Sequence, residues 1–329
     1  TRKEAVRIKR VTIPRFEGGN PLMTPLFVEA KTERGPYRTV ASLHVRAGRD
    51  SLRVGSELYN MPPSGAVDVR LDLVRFQTDE EVAIPPYWLS PNRGSLSYQG
   101  IDYTDADTVE RARYQVEDVG DGAELSFTLP GDLRPGIYRI TVRTGTGPRG
   151  SEEDSLYTVR TRELSVKSSD FPTVAELDEV IDALEYIARE SELERIRGGS
   201  SLRDRRRRFD AFWGELVDSK AQAADLIRRY YGRVEEANLF FTTYKEGWKT
   251  DRGMVYIVKG APLFVEQYFE AEVWHYSYAQ DPRQTYVFER VRPFRRQGVL
   301  FESYILRRRP YYERPWREAV ERWREGRVL

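Results

Sequence analysis

Lys249, Thr250, Asp251 and Arg252 stand in a row, with Gly247 and Trp248 just before them and Gly253 just after. Together they could move a proton if Asp251 served as general acid or base, but that role needs a partner within hydrogen-bond reach. The neighbouring sequence offers no plausible His, Cys or carboxylate for it. The competing reading is a structural corner. Gly247 and Gly253 supply positive φ at low cost, Thr250 and Asp251 bond nearby backbone N–H groups, and Trp248 wedges between a helix and a sheet. The corner is the expectation carried forward.

Other constellations point less far. His44 and His275 fall in different halves of the chain, and two remote histidines make neither a zinc site nor a triad. Asp102, Asp105 and Asp107 in "DYTDAD" are hard oxygen donors, yet the Gly and distal Glu of a calcium loop are missing, so a polar loop is expected. "GTGPRGSEEDS" lacks the Gly-Lys-Ser/Thr that cradles phosphates and reads as a hairpin connection. "RDRRRR" at 203–208 spreads around several faces of a helix. It reads as a solvated or interdomain face, with Arg205 and Arg206 as candidate contacts for an acidic partner or lipid headgroups and nucleic acid as a third reading. No catalytic, cofactor-binding or metal-ligating residue is assigned.

Composition narrows the class. The chain has 329 residues, Lys+Arg 53 against Asp+Glu 52, a net charge of +1 and no Cys. That length fits two domains, each able to bury its own core. The charge balance recruits no nucleic acid, and the lack of Cys removes disulfides, thiolate metal sites and thiol catalysis. No apolar stretch approaches the length of a membrane span. The chain begins at Thr1, which raises the expectation that an export signal, an acylated anchor or an expression leader precedes it. Arg far outnumbers Lys; a preference for bidentate carboxylate pairs and a GC-rich genome both account for that.

Two hydrophobic periods organise these residues. From residue 5 to about 166 the period is two: Val67, Val69, Leu71 and Leu73 alternate with Asp68, Arg70 and Asp72, and the same holds around Leu43 and Val45, Leu125 to Leu129, and Tyr138 to Val142. With 5–13, 26–31, 109–117 and 156–166 this makes about eight strands separated by Gly/Pro-rich loops, an all-β sandwich over 1–167; "LRPGIYRITV" resembles the strand entry common in immunoglobulin-like and fibronectin type III-like domains, which implies an immunoglobulin-like sandwich. "KSSDFP" ends it, leaving 168–172 as linker. Over 173–329 the spacing predicts an α+β domain: helices at 173–196, 202–217 and from 219, short strands near 254–258, 271–278, 285–291 and 302–307, and a last helix from Pro315.

Gly247, Trp248, Thr250, Asp251 and Gly253, followed by "MVYIVKGAP", resemble the signature of the GWxTD domain family, and "FDAFWGELV", "YYGRVEEANLFF" and "EVWHYSY" fall where such proteins carry similar segments. The resemblance covers about 173–329. It implies a bacterial protein, often exported, with a β-rich domain ahead of the signature domain and no established catalytic residues. "KGAP", "EVWHYSY" and "YVFERV", with Gly260, Pro262 and Trp274, are also similar to small outer-membrane assembly lipoproteins, which implies an adaptor. The resulting expectation is a non-catalytic accessory or scaffold subunit of a cell-envelope assembly, without cofactor, periplasmic or at the cell surface, and lipid-anchored if an acylated segment precedes Thr1. Its partners would be other envelope proteins, met through Tyr87, Trp88 and Tyr98 of the long loop 84–100 and through Arg205 and Arg206. Two alternatives stay open: that this loop folds back and buries Trp88 on its own sheet, and that the chain is an envelope hydrolase or carbohydrate-active protein with carboxylates meeting at the domain interface.

Overall fold

Alternating side chains make the first half. The structure, a computed structural model, describes residues 22–32, 35–40, 44–48, 50–59, 67–89, 100–116, 122–145, 157–279, 281–291 and 302–328. Its strands are β1 (Leu22–Met23), β2 (Phe27–Thr32), β3 (Arg38–Thr39), β4 (His44–Arg46), β5 (Asp50–Tyr59), β6 (Val67–Thr78), β7 (Ile101–Val116), β8 (Gly122–Thr128), β9 (Gly136–Gly145) and β10 (Tyr157–Lys167). One sheet runs β4-β10-β9-β6-β7; in the other, β5 pairs β1, β2 and β8, and β3 pairs β2. Val67, Val69, Leu71 and Leu73 of β6, Tyr138, Ile140 and Val142 of β9, and Val54, Leu58, Leu125 and Phe127 of the facing sheet close on one buried core. This is the all-β sandwich that the period predicts. The Tyr138 hydroxyl donates to the Arg134 carbonyl at 2.7 Å and anchors the entry to β9.

Two sequence expectations change here, and others fall outside the described residues. β5 is an unforeseen central strand. "DYTDAD" lies within β7, because an edge strand with water beside it tolerates polar residues. The expected strand at 5–13, Leu43 and residues 146–155 of the Gly-rich segment lie outside the described residues, although β9 and β10 on either side of that segment pair antiparallel.

The second half holds α1 (Leu177–Asp182), α2 (Glu190–Arg197), α3 (Leu202–Leu216), α4 (Lys220–Phe241), α5 (Asp251–Lys259), β11 (Phe264–Gln267), β12 (Ala271–His275), β13 (Thr285–Arg290), β14 (Tyr304–Leu306) and α6 (Glu313–Arg324). The four strands form an antiparallel sheet in chain order. The helical stripes are buried as spaced: Phe209, Phe212 and Trp213 of α3, Tyr230, Val234 and Ala237 of α4, and Trp316, Ala319 and Trp323 of α6. Ser219 caps α4 by accepting from the Gln222 N–H.

Three elements differ from expectation. β11 is a strand that the spacing does not predict. The single helix over 173–196 is two helices joined by a tight turn, and Thr173 caps nothing: its hydroxyl donates to Glu235 on α4. Residues 254–258 are helix, not strand. Met254, Val255, Ile257 and Val258 are buried and Tyr256 half-buried, and a short apolar run does not by itself separate strand from buried helix.

Candidate functional site

Each residue of the Lys-Thr-Asp-Arg row reaches a different element. Thr250 caps α5, its hydroxyl accepting from the Gly253 N–H at 3.0 Å and donating to the Gly247 carbonyl at 2.7 Å. Asp251 reaches across to the far end of the sheet, where it accepts from the Leu306 N–H at 2.8 Å and pairs with Arg308 at 2.5 Å, both side chains at least nine-tenths buried. Arg252 pairs with Glu272 of β12 at 3.1 Å, and Glu272 also accepts from the Trp274 indole. Lys249 pairs with Glu80 at 3.2 Å and with Glu246 at 3.4 Å.

The glycines are needed for a different reason from the one the sequence suggests. Neither Gly247 nor Gly253 has positive φ; a Cβ on Gly247 would overlap the Ala237 carbonyl of α4, and one on Gly253 would overlap the Gly247 carbonyl. Close approach of three backbones demands them. Gly260, with φ +82°, does use the left-handed freedom of glycine to end α5, and its carbonyl accepts from Tyr276 at 2.8 Å. Pro262, half-buried, follows it before the sheet begins. Trp248 is fully buried; its N–H donates to Asn238 of α4 at 3.1 Å, its carbonyl accepts from Tyr186 at 2.6 Å, and its indole donates to Glu246 at 2.9 Å.

The corner also grips the first half. After β6 the chain runs through 79–87 as a strap laid on the second half. Lys245 donates to Asp79 at 3.2 Å and to the Glu81 carbonyl at 2.6 Å; Arg308 donates to the Ile84 carbonyl and the Arg309 N–H to the Pro86 carbonyl, each at 3.1 Å. Ala83 and Tyr87 join the core of the second half, and Tyr244 packs with Phe76 and Ile137 of the sandwich. Lys167, at the end of β10, is buried and donates to the Thr243 carbonyl at 3.3 Å. Burial brings its ammonium down to about 8, against the pull of Glu246 and Glu80. Burial also lifts the Glu179 carboxyl to about 7, helped by the nearby negative Glu246. A cleft of about 40 Å³ between strap and corner is lined by Asp79, Lys245, Lys249 and Asp251.

The remaining candidates scatter. Trp88 is 55% exposed, so the loop does not bury it on its own sheet, whereas Tyr87 turns inward beneath Arg317. Tyr98 lies outside the described residues. Arg205 pairs with Asp178 of α1, and Arg206 sits exposed 3.7 Å from Asp210. Arg207 and Arg208 pair with Asp204, so acids on the same helix and its neighbour offset much of the basic run. His44 is in β4, its imidazole lowered to about 4 by burial and by Lys167, while His275 is in β12, stacked on Phe264. Among the described residues, no group of three or more His, Asp or Glu is placed to hold a metal ion, and no helix is long and apolar enough to cross a membrane. Sequence reading missed Arg308, Lys245 and Glu80, the partners of the corner, since nothing local marks a pairing that far along the chain.

Sandwich, strap and signature corner define a two-part protein built around an α+β domain. The GWxTD domain model matches residues 151–325, and the chain belongs to that family. The match begins before β10, so it takes in the last strand of the sandwich. Among solved structures, the C-terminal domain of wzt is similar at 12% identity and a TM-score of 0.27, over 50% of this chain and 87% of that one. The CARDB domain of the PF1109 protein from Pyrococcus furiosus, in complex with di-metal ions, is similar at 12% identity and a TM-score of 0.24, over 49% and 100%. A beta-glucosidase from Listeria innocua in complex with gluconolactone reaches 16% identity and 0.20, over 42% of this chain and 16% of that one. No curated protein sequence matches the chain.

Proposed function

We propose that the chain is a non-catalytic accessory or scaffold subunit of a cell-envelope protein assembly, acting by protein–protein binding. The observation that carries this reading is the end of the strap. Trp88 and Leu89 are 55% and 66% exposed, directly after Tyr87 and the Pro86 carbonyl are fixed on the second half. A large aromatic held outward on a fixed backbone loses little entropy when a partner covers it, and such residues dominate interface energetics. The proposed location is periplasmic or cell-surface, with a lipidated segment upstream of Thr1 as one means of attachment; the resemblance to often-exported proteins motivates it. A photo-crosslinker in place of Trp88, activated in intact cells, is expected to capture another envelope protein, and Trp88→Ser to release the chain from it with the melting temperature unchanged. A chain recovered free of any crosslinked protein contradicts the reading.

A second reading has one observation behind it. Glu179, with its carboxyl near 7, has the protonation behaviour of a general acid, as a hydrolase with carboxylates at the junction would need. Loss of a measured hydrolytic turnover in Glu179→Gln, with stability retained, would favour it over the scaffold.

A further inference from the structure

The two outer strands of the four-stranded sheet are finished differently. Beyond β14, the outward Leu306 N–H is taken by Asp251, and the strap covers the chain that follows. Beyond β11, no strand pairs among the described residues. All four residues of β11 are exposed, and the surface around it is apolar: Leu263, Phe264, Val265, Tyr268, Phe269 and Tyr278. The long edge strand of the sandwich, β7, carries Asp102, Asp105, Asp107, Glu110, Arg111 and Arg113, the charges that keep an edge from pairing. β11 has only Glu266.

We infer that β11 is a homodimerisation edge, on which a second copy of this chain pairs antiparallel about a two-fold axis at Val265 and joins the two sheets into one. The inference goes beyond the envelope-scaffold reading and does not depend on it. Backbone geometry selects this register. The Tyr268 N–H bonds the Ala271 carbonyl, so ladder alternation turns the N–H and C=O of Val265 and Gln267 outward. Pairing Val265 with its copy makes two symmetric backbone hydrogen bonds and sets Val265 against Val265 on the face that carries Trp274. On the other face Phe264 comes opposite Glu266, so the two Glu266 carboxylates never face each other. The same patch meets itself, as an isologous interface requires. Phe264, already stacked on His275 and Tyr278, supplies the aromatic face that pairing would bury.

The lack of Cys makes a direct test available. Directly opposed residues in a hydrogen-bonded antiparallel pair have Cα atoms about 5.5 Å apart, within disulfide range. Under mild oxidation of the full chain, Val265→Cys is expected to give a disulfide-linked dimer much faster than the control Thr104→Cys on exposed β7. Sedimentation equilibrium of the unmodified chain is expected to show a concentration-dependent dimer that Val265→Lys converts to monomer, with circular dichroism unchanged and a melting temperature equal to that of the unmodified chain diluted to monomer. A chain that stays monomeric across the concentration range overturns the inference. So does a dimer that Val265→Lys leaves intact, or cross-linking no faster at Val265 than at Thr104.

Discussion

The β14 edge of the second half's sheet is closed by buried charge, and the β11 edge is left open and apolar. Closing an edge from within the chain takes groups aimed at its outward backbone, and Asp251 accepts from the outward Leu306 N–H while Arg308 neutralises the carboxylate. The price is a buried ion pair, tolerable only because both partners are hydrogen-bonded further, Arg308 to the strap and Asp251 to the strand. β11 has no such arrangement; only its side chains mark it. The signature therefore serves as a device for finishing one side of the sheet and fastening it to the sandwich.

The comparison breaks most completely if the corner collapses. Trp248→Ala empties a fully buried indole site and is expected to cost about 3–5 kcal/mol in thermal or denaturant unfolding. A loss well under that range would mean that Trp248 does not hold the corner. Asp251→Asn leaves Arg308 buried without its counter-charge and is expected to cost about 3 kcal/mol, with Asp251→Asn/Arg308→Met recovering much of it. Equal losses in the single and double variants would show that the pair is not the reason for the cost. Lys245→Met unfastens the strap from Asp79 and Glu81 and should cost about 1–3 kcal/mol, with limited proteolysis now cutting within 79–87. Protection of the strap in that variant would argue that Ala83 and Tyr87 alone retain it.

The pH dependence gives a smaller, signed effect. Glu179 holds its proton more tightly in the folded chain, about 7 against an ordinary 4.5, so its contribution to stability is full below 4.5 and is lost as pH rises through 7. Glu179→Gln should flatten the melting temperature across that window. An unchanged slope would assign the dependence elsewhere. The smallest effect belongs to the open edge: Val265→Lys should alter monomer stability by no more than about 0.5 kcal/mol, since Val265 stands exposed on an outer strand.

Much of this contrast was legible in sequence only on its local side. Strand alternation gave the sandwich, and the stripes of α3, α4 and α6 gave the helical core, because both periods are set within a few residues. Thr250 as a capping hydroxyl was also within reach of local reasoning. Asp251 was not: its partners are more than 50 residues away, and a carboxylate in a turn has the same sequence whether it bonds a neighbour or a distant strand. Sequence alone assigns Gly247 and Gly253 conformational freedom, whereas packing against Ala237 and Gly247 dictates them. The run 254–258 reads as strand because five consecutive apolar residues carry no polar position to reveal a helical period. Trp88 is exposed while its neighbour Tyr87 faces the opposite way, and which residue of an aromatic pair turns inward depends on the second half's surface beneath it.

Hydrogen exchange read by mass spectrometry over 304–306 and 264–267 compares the two edges in one experiment. The Leu306 amide is expected to be protected at every protein concentration and released by Asp251→Asn, and the Val265 and Gln267 amides to exchange rapidly when dilute and slowly when concentrated. A Leu306 amide that exchanges as fast as those of β11, or a β11 already protected in the dilute monomer, would contradict this contrast.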